Sequence, residues 1–242
     1  IKGIRDVLSK SRLQQLTANT SANGGAKRVF DLVRYTRHSA ISATLARALF
    51  RRWRNHSGNG SALSPDEVYA MTLLLHFERM MFAKVAPAEY ISLEAKAKEL
   101  GQPADLVFRA EAGGSLAALS ALSLNAMHLP ELFSAAILSA SGVEDIAWPL
   151  RPSADADLRE GRHPEAAALS IISYASQFTE SVGVSLDPWA PRAEPTCPLL
   201  EEIGVDMEQA RGLVKASVVA VAPYLPRDRR RRTSAVIEPK AA

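Results

Sequence analysis

Residues 68–82 read VYAMTLLLHFERMMF, a stretch with apolar side chains on nearly every face of a helix. A helix that is apolar all round must be buried among other elements, because no face of it suits water. The stretch therefore predicts a buried helix enclosed by further helices. In its centre lies His76, which must be interpreted either as a metal ligand or as a histidine of the core.

The remainder of the chain favours helices over strands. Ala and Leu dominate many segments, and glycine is sparse, with 13 in 242 residues. Apolar residues make up 47% of the chain, which is ordinary for a globular protein and too high for a disordered one. The sequence contains no convincing strand pair and no internal repeat. We therefore predict an all-α fold, a bundle of about nine helices.

Caps and breaks in the sequence locate these helices. The clearest start is SPDE, where Ser64 is the predicted N-cap, Pro65 opens the first turn and Glu67 completes a capping box. This helix is predicted to run to about Ala83. The other helices are predicted over residues 1–18, 27–54, 87–100, 103–127, 129–140, 164–182, 199–203 and 206–222. A glycine pair at 113–114 is expected to bend or interrupt the fifth of these nine helices in chain order.

Charge is distributed unevenly along the chain. Residues 1–54 carry twelve Lys/Arg and two Asp/Glu, a net charge of +10, and residues 227–242 carry +4. The residues between them must therefore carry −11 for the whole chain to reach +3. Such asymmetry fits nucleic-acid binding, and it also fits basic and acidic regions that pack beside each other. We favour the second interpretation.

Cysteine content and hydropathy indicate a cytoplasmic protein. Cys197 is the single cysteine, so no internal disulfide can form and a reducing compartment is favoured. No apolar run approaches the roughly 20 residues that a membrane-spanning helix needs, and we expect no signal peptide. The chain begins with Ile1, so we expect its natural N-terminus to lie further upstream.

Two segments together resemble a known family. YTRHSAISATLARALFRRW and SPDEVYAMTLLLHFERMMF are similar to two successive helices of the HD superfamily, and more closely to those of its HD-related output domains, the HDOD domains of bacterial signalling proteins. The matching cores are RHSAISATLA and LLLHFERM. Further similarity lies in EAKAKELGQPADLV, LNAMHLPELFSAAILSA, ALSIISYASQFTESVG and CPLLEEIGVDMEQARGLV.

The resemblance covers roughly residues 1–225 and implies an HDOD-like helical bundle. It implies a single domain over residues 1–226, with its N-terminal helical subdomain incomplete, followed by a basic tail at 227–242 that we expect to be flexible. It also implies a role in signal transduction or regulation, carried out by binding another protein.

Catalytic members of the HD superfamily hold a divalent metal with a His, a His-Asp pair and a distal Asp, and the metal activates water against a phosphate ester. In this sequence His38 matches the first His and His76 the second, but Phe77 stands where the pair needs its Asp. No distal Asp suggests itself. Two imidazoles without carboxylates suit hard ions poorly. The resemblance therefore implies no catalytic residue, no bound metal and no cofactor.

We accordingly interpret His38 and His76 as core histidines that lie close together, with a residual metal or ligand pocket as the alternative. Arg47, Arg51 and Arg54 recur at helical spacing and form a basic ridge, which is either a solvated face or a contact for an acidic partner. The predicted function is that of a non-catalytic regulatory domain. The alternatives are a metal-dependent phosphohydrolase and a nucleic-acid-associated regulator that uses the basic N-terminal helix and tail.

Overall fold

The computed structural model describes residues 29–58, 63–118, 121, 124, 129–140 and 164–225. All regular structure in these ranges is helical, which confirms the predicted all-α class. Nine α-helices are defined there, and residues 116–118, 121 and 124 are also helical. The helices are α1 Leu32–Ser57, α2 Pro65–Leu73, α3 Phe77–Val85, α4 Pro87–Leu100, α5 Ala104–Ala112, α6 Glu131–Ala140, α7 Pro164–Ser181, α8 Pro198–Glu202 and α9 Met207–Val221, followed by a 3-10 turn at Ala222–Tyr224.

Helix α1 is the centre of the bundle. It packs against α2, α7 and α9, while α6 packs on α7. Three apolar residues of this helix, Ile41, Leu45 and Leu49, are fully inaccessible to solvent. The helix begins later than the predicted residue 27, because the Asp31 side chain accepts the backbone N–H of Arg34 and caps the first turn.

The predicted helix from Ser64 to Ala83 is two helices. The capping box at Ser64 is present as predicted. The helix then ends at Leu73, and the next three residues form a turn in which the N–H groups of Leu75 and Phe77 bond to carbonyls three residues back. His76 occupies the left-handed region, with φ 61° and ψ 16°. It is the single non-glycine residue with positive φ in the described ranges, and histidine tolerates that region better than branched residues do.

This break changes the burial of the 68–82 stretch. Val68, Met71 and Leu75 lie in the core, but Met81 is 37% exposed. The expectation of one wholly buried helix was therefore wrong. Redirection of the chain at His76 turns one side of α3 outward, so the apolar residues after the break face the surface in part.

The apolar core has two parts. The larger is built from α1, α2, α6, α7, α8 and α9 around residues such as Phe50, Ile171 and Phe178. The smaller lies among α4, α5 and residue 116, and Phe82 of α3 packs against it. Because α3 and α4 continue from the break at His76, the turn also sets the position of this second cluster.

The remaining predicted boundaries agree with the structure within a few residues. Gly101 caps α4 in the left-handed conformation, and the glycine pair interrupts the helix predicted over 103–127, since α5 ends before Gly113. Asp206 caps α9. The predicted helix over 1–18 and the predicted tail at 227–242 lie outside the described residues, as do residues 141–163. Among the described helices, none is both long and apolar enough to cross a membrane.

The capping box of α2 yields a stability prediction. Replacing Ser64 with Ala removes the side-chain acceptor of the Glu67 N–H. We expect a loss of about 1 kcal/mol in the free energy of unfolding, which corresponds to a melting temperature about 2–4 °C lower. Calorimetry measures both quantities.

The matched control is Ser92→Ala, the same change at an exposed position inside α4. Alanine is the better helix former there, so the melting temperature should stay the same or rise slightly. Equal losses in the two variants would contradict a specific contribution from the cap.

Candidate functional site

His38 and His76 lie against each other, as the sequence predicts. His38 comes from the middle of α1 and His76 from the turn between α2 and α3. Their ring centroids are 5.3 Å apart, with the ring planes at 68°. The side chain of His38 is fully buried, whereas that of His76 is 17% exposed. The left-handed turn at His76 brings the pair together, because it places this ring beside α1 and α7.

His38 has polar atoms without a partner. Neither ring nitrogen forms a hydrogen bond of good geometry within the part of the chain that the structure describes, although the backbone of Ser176 approaches the ring and opposes the lowering of its pKa. Burial lowers the pKa of His38 well below its ordinary value, and the neighbouring His76 and Arg79 lower it further. The ring is therefore neutral at pH 7. Buried polar side chains without partners are rare in proteins, so this imidazole calls for an explanation.

His76 has a polar neighbour at each ring nitrogen. Its Nδ1 lies 3.6 Å from Oε1 of Glu78, and its Nε2 lies 3.3 Å from Oγ of Ser176 in α7. A carboxylate favours a proton on the nitrogen that it faces. In the neutral ring Nδ1 then carries the proton, and the lone pair of Nε2 points toward α7.

Glu180 is the third member of the site, and the sequence interpretation missed it. Its Oε1 lies 3.9 Å from Nε2 of His38. One donor atom from each of His38, His76 and Glu180 falls within 4.8 Å of the other two. The expectation that the two imidazoles lack a carboxylate was therefore wrong. A signal was present, because Glu180 is the one charged residue between positions 166 and 186.

The site continues into a buried polar cluster. Arg192 lies between two carboxylates, with its Nε 2.9 Å from Glu180 and Nη2 3.6 Å from Asp187. Asp187 also accepts two hydrogen bonds of 2.7 Å from Arg79, in the bidentate geometry that arginine and carboxylate favour. We call the following residues the polar cluster: His38, His76, Glu78, Arg79, Glu180, Asp187 and Arg192.

The Arg79–Asp187 pair keeps both of its members charged. Burial on its own would raise the pKa of Asp187 and lower that of Arg79. The mutual attraction outweighs burial on both sides, so the pKa of Asp187 is lowered and the pKa of Arg79 is raised. Asp187 accepts a further hydrogen bond of 3.3 Å from the backbone N–H of Ala104, at the start of α5. The pair therefore connects α3, the segment after α7 and α5.

The other residues singled out in the sequence lie elsewhere. Phe77 is the first residue of α3 and is half-buried. Of the basic ridge, Arg47 and Arg51 are exposed and Arg54 is half-buried. Arg47 is already engaged within the chain, since its Nη1 lies 3.4 Å from Oδ1 of Asp66 and its guanidinium lies 5.0 Å from the ring centroid of Tyr69.

Comparison with known proteins adds no assignment. No protein-family model, no curated protein and no solved structure matches the chain. Its function must therefore be inferred from the residue patterns and from the geometry of the polar cluster.

The buried ion pair leads to a second stability prediction. Replacing Arg79 with Met removes the bidentate partner of Asp187, whose side chain is wholly inaccessible to solvent. We expect a loss of about 3–5 kcal/mol in the free energy of unfolding, measured by urea denaturation.

Lys96→Met is the matched control, because it removes a cation from an exposed pair with Glu111. That change should cost less than about 1 kcal/mol. Similar losses in the two variants would mean that burial of the Arg79–Asp187 pair does not increase the free energy lost when its arginine is removed.

Proposed function

We propose that this chain is a regulatory domain of the HDOD type, which catalyses no reaction and acts in the cytoplasm by binding another protein. The observation that carries the proposal is the contact between His38 and His76. Two helices that match the HD pattern in sequence bring their matching histidines together, which supports the resemblance. The family resemblance implies bacterial signal transduction as the setting.

Phe77 supports a role without catalysis. An HD-type hydrolase needs a carboxylate directly after its second histidine to bind the metal, and an aromatic ring offers no lone pair for an ion. His38 is also closed off from solvent. A phosphate ester would have to reach an ion beside the His38 ring, and no atom of that ring is accessible from solvent. The polar cluster therefore suits a part of the folded core better than an active centre.

One observation favours a second candidate, a metal-dependent phosphohydrolase. Glu180 supplies the carboxylate that the sequence interpretation did not find. With His76 partly exposed, an ion held by this carboxylate and the two imidazoles would be placed to activate water. An assay of turnover distinguishes the two candidates, because a regulatory domain has none.

The basic ridge is the proposed contact surface. Exposed arginines steer an acidic partner toward a surface and act mainly on the association rate. Arg51 is the best member to test. Arg47 already interacts with Asp66 and Tyr69, so its replacement would also disturb the packing of α1 on α2.

We predict no hydrolysis of phosphodiesters or nucleotides by the purified chain in the presence of manganese, magnesium or iron. The physical reason is the missing carboxylate at Phe77 together with the closed position of His38. Product release is measured for the wild type and for His76→Ala. Turnover that the substitution abolishes would establish the hydrolase instead.

We predict that Arg51→Glu slows association with the protein partner and leaves the fold intact. Proteins that bind the wild type are captured from a native lysate and compared with those that bind the variant. The rates at which the captured partner associates with each chain are then measured at two salt concentrations. Salt should weaken the wild-type interaction, because exposed charges are screened over about 8 Å at physiological ionic strength.

Lys215→Glu is the control for this experiment, as it makes the same charge change at an exposed position on α9. It should not alter the association rate. If both variants bind the partner as fast as the wild type does, the ridge is a solvated face and takes no part in binding.

A further inference from the structure

We propose that His38, His76 and Glu180 form a binding site for a zinc-type divalent ion, which fastens α1, the turn between α2 and α3, and α7 to one another. The ion would serve the fold rather than a reaction. The proposal goes beyond the regulatory function above and does not depend on it, since an ion of this kind could stabilise the domain whatever its partner is.

The orphaned imidazole of His38 is the first observation that points to an ion. The ring is fully buried, and neither nitrogen has a hydrogen bond of good geometry among the described residues, the nearest backbone interaction being with Ser176. Its Nε2 faces the carboxylate of Glu180 at 3.9 Å. A neutral imidazole presents a lone pair on one nitrogen, which is the form that binds metal. An ion between the two groups would give that lone pair a partner.

The neighbours of the other two donors orient them in the way that metal sites require. Glu78 stands beside Nδ1 of His76, which leaves Nε2 as the donor atom. Metal-binding histidines characteristically give their second nitrogen to a carboxylate in this manner. Arg192 interacts with Oε2 of Glu180, while Oε1 is the oxygen that faces His38. In both His76 and Glu180, the polar atom that does not face the proposed ion lies next to a separate charged side chain.

The charge of the surroundings also favours a cation. The polar cluster contains three carboxylates, on Glu78, Glu180 and Asp187, but only two guanidiniums. Imidazole binds metal in its neutral form, so histidine ligands add no positive charge to this count. The excess of one negative charge lies in a largely buried region, where electrostatic attraction is stronger than in water.

Distances and donor types indicate which ion fits. Zinc bonds of about 2.1 Å to nitrogen and oxygen in tetrahedral geometry place the donor atoms about 3.4 Å apart. The observed 3.9 Å, and the limit of 4.8 Å for the whole set, require the side chains to close by about 0.5–1.4 Å, which small rotations achieve. Two imidazoles and one carboxylate are a known zinc set, whereas magnesium and calcium prefer oxygen donors alone.

Ser176 marks the place of the fourth ligand. It lies one helical turn before Glu180 on α7, and its hydroxyl is 3.3 Å from Nε2 of His76. A water molecule completing the tetrahedron could hydrogen-bond to this hydroxyl. Three protein ligands and a water are also the ligand set of catalytic zinc sites, but here Ser176 and His38 are buried, so substrate could not approach this side of the ion and a role in the fold is favoured.

The test uses the full chain, stripped with a chelator and then exposed to zinc chloride or cobalt chloride. After removal of free ion, elemental analysis should find about one zinc per chain, and bound cobalt should show the visible absorption of a tetrahedral complex. At a hundredfold excess of zinc over Kd, the melting temperature should rise by about 5 °C or more.

Two variants and one control locate the ion. Glu180→Gln should weaken zinc binding at least about tenfold and, at the same zinc concentration, reduce the thermal shift to about half or less. His76→Asn should do the same while keeping the turn, because asparagine tolerates the left-handed conformation. His56→Gln, at an exposed position near the end of α1, should bind zinc like the wild type.

Circular dichroism shows whether each variant is folded, and His76→Asn decides the result if Glu180→Gln is not. No zinc uptake by the wild type, or undiminished uptake by His76→Asn, would overturn the proposed site. Either result would leave the proposed regulatory function untouched, because that function is tested by turnover and by association rates. Zinc uptake together with zinc-dependent hydrolysis would overturn the structural role and the regulatory function alike.

Discussion

The Arg79–Asp187 ion pair lies at the junction of three parts of the structure. Arg79 belongs to α3, Asp187 to the segment that follows α7, and the N–H of Ala104 at the start of α5 bonds to the same carboxylate. Arg192 extends the junction to Glu180 and so to the histidines. A buried charge without a partner at this junction would raise the free energy of the folded state. We therefore expect the charged side chains of the junction to assemble together. The smaller apolar cluster and the candidate site both depend on this assembly.

Much of the fold could be predicted from the sequence because its determinants are local. The capping box at Ser64, the cap at Asp206 and the glycines after α4 and α5 act within a few residues, and each predicted boundary lies close to the observed one. The break at His76 could not be predicted in this way. It contains no glycine or proline, and its left-handed conformation is compensated by contacts with residues that are distant in sequence.

The candidate site was likewise predictable only where its residues belong to a local sequence pattern. The approach of His38 to His76 followed from a two-helix pattern in neighbouring parts of the chain. The place of Glu180 did not follow from it, because Glu180 is about 140 positions from His38, and its segment ALSIISYASQFTESVG resembles the family without indicating a ligand. The pairing of Arg79 with Asp187 spans 108 positions and has no pattern of its own. The sequence indicated buried ion pairs only through single charged residues within apolar segments, such as Glu180 in α7.

The length of α1 has a consequence for communication within the domain. Arg47, Arg51 and Arg54 follow His38 by 9, 13 and 16 residues along one unbroken helix, so the ridge begins about 14 Å and ends about 24 Å from His38 along the helix axis. Surface charges are screened over about 8 Å at physiological ionic strength. Events at one end therefore cannot reach the other through the electric field. A bound partner and the state of the histidines could influence each other only mechanically, by a shift or rotation of α1 as a rigid rod.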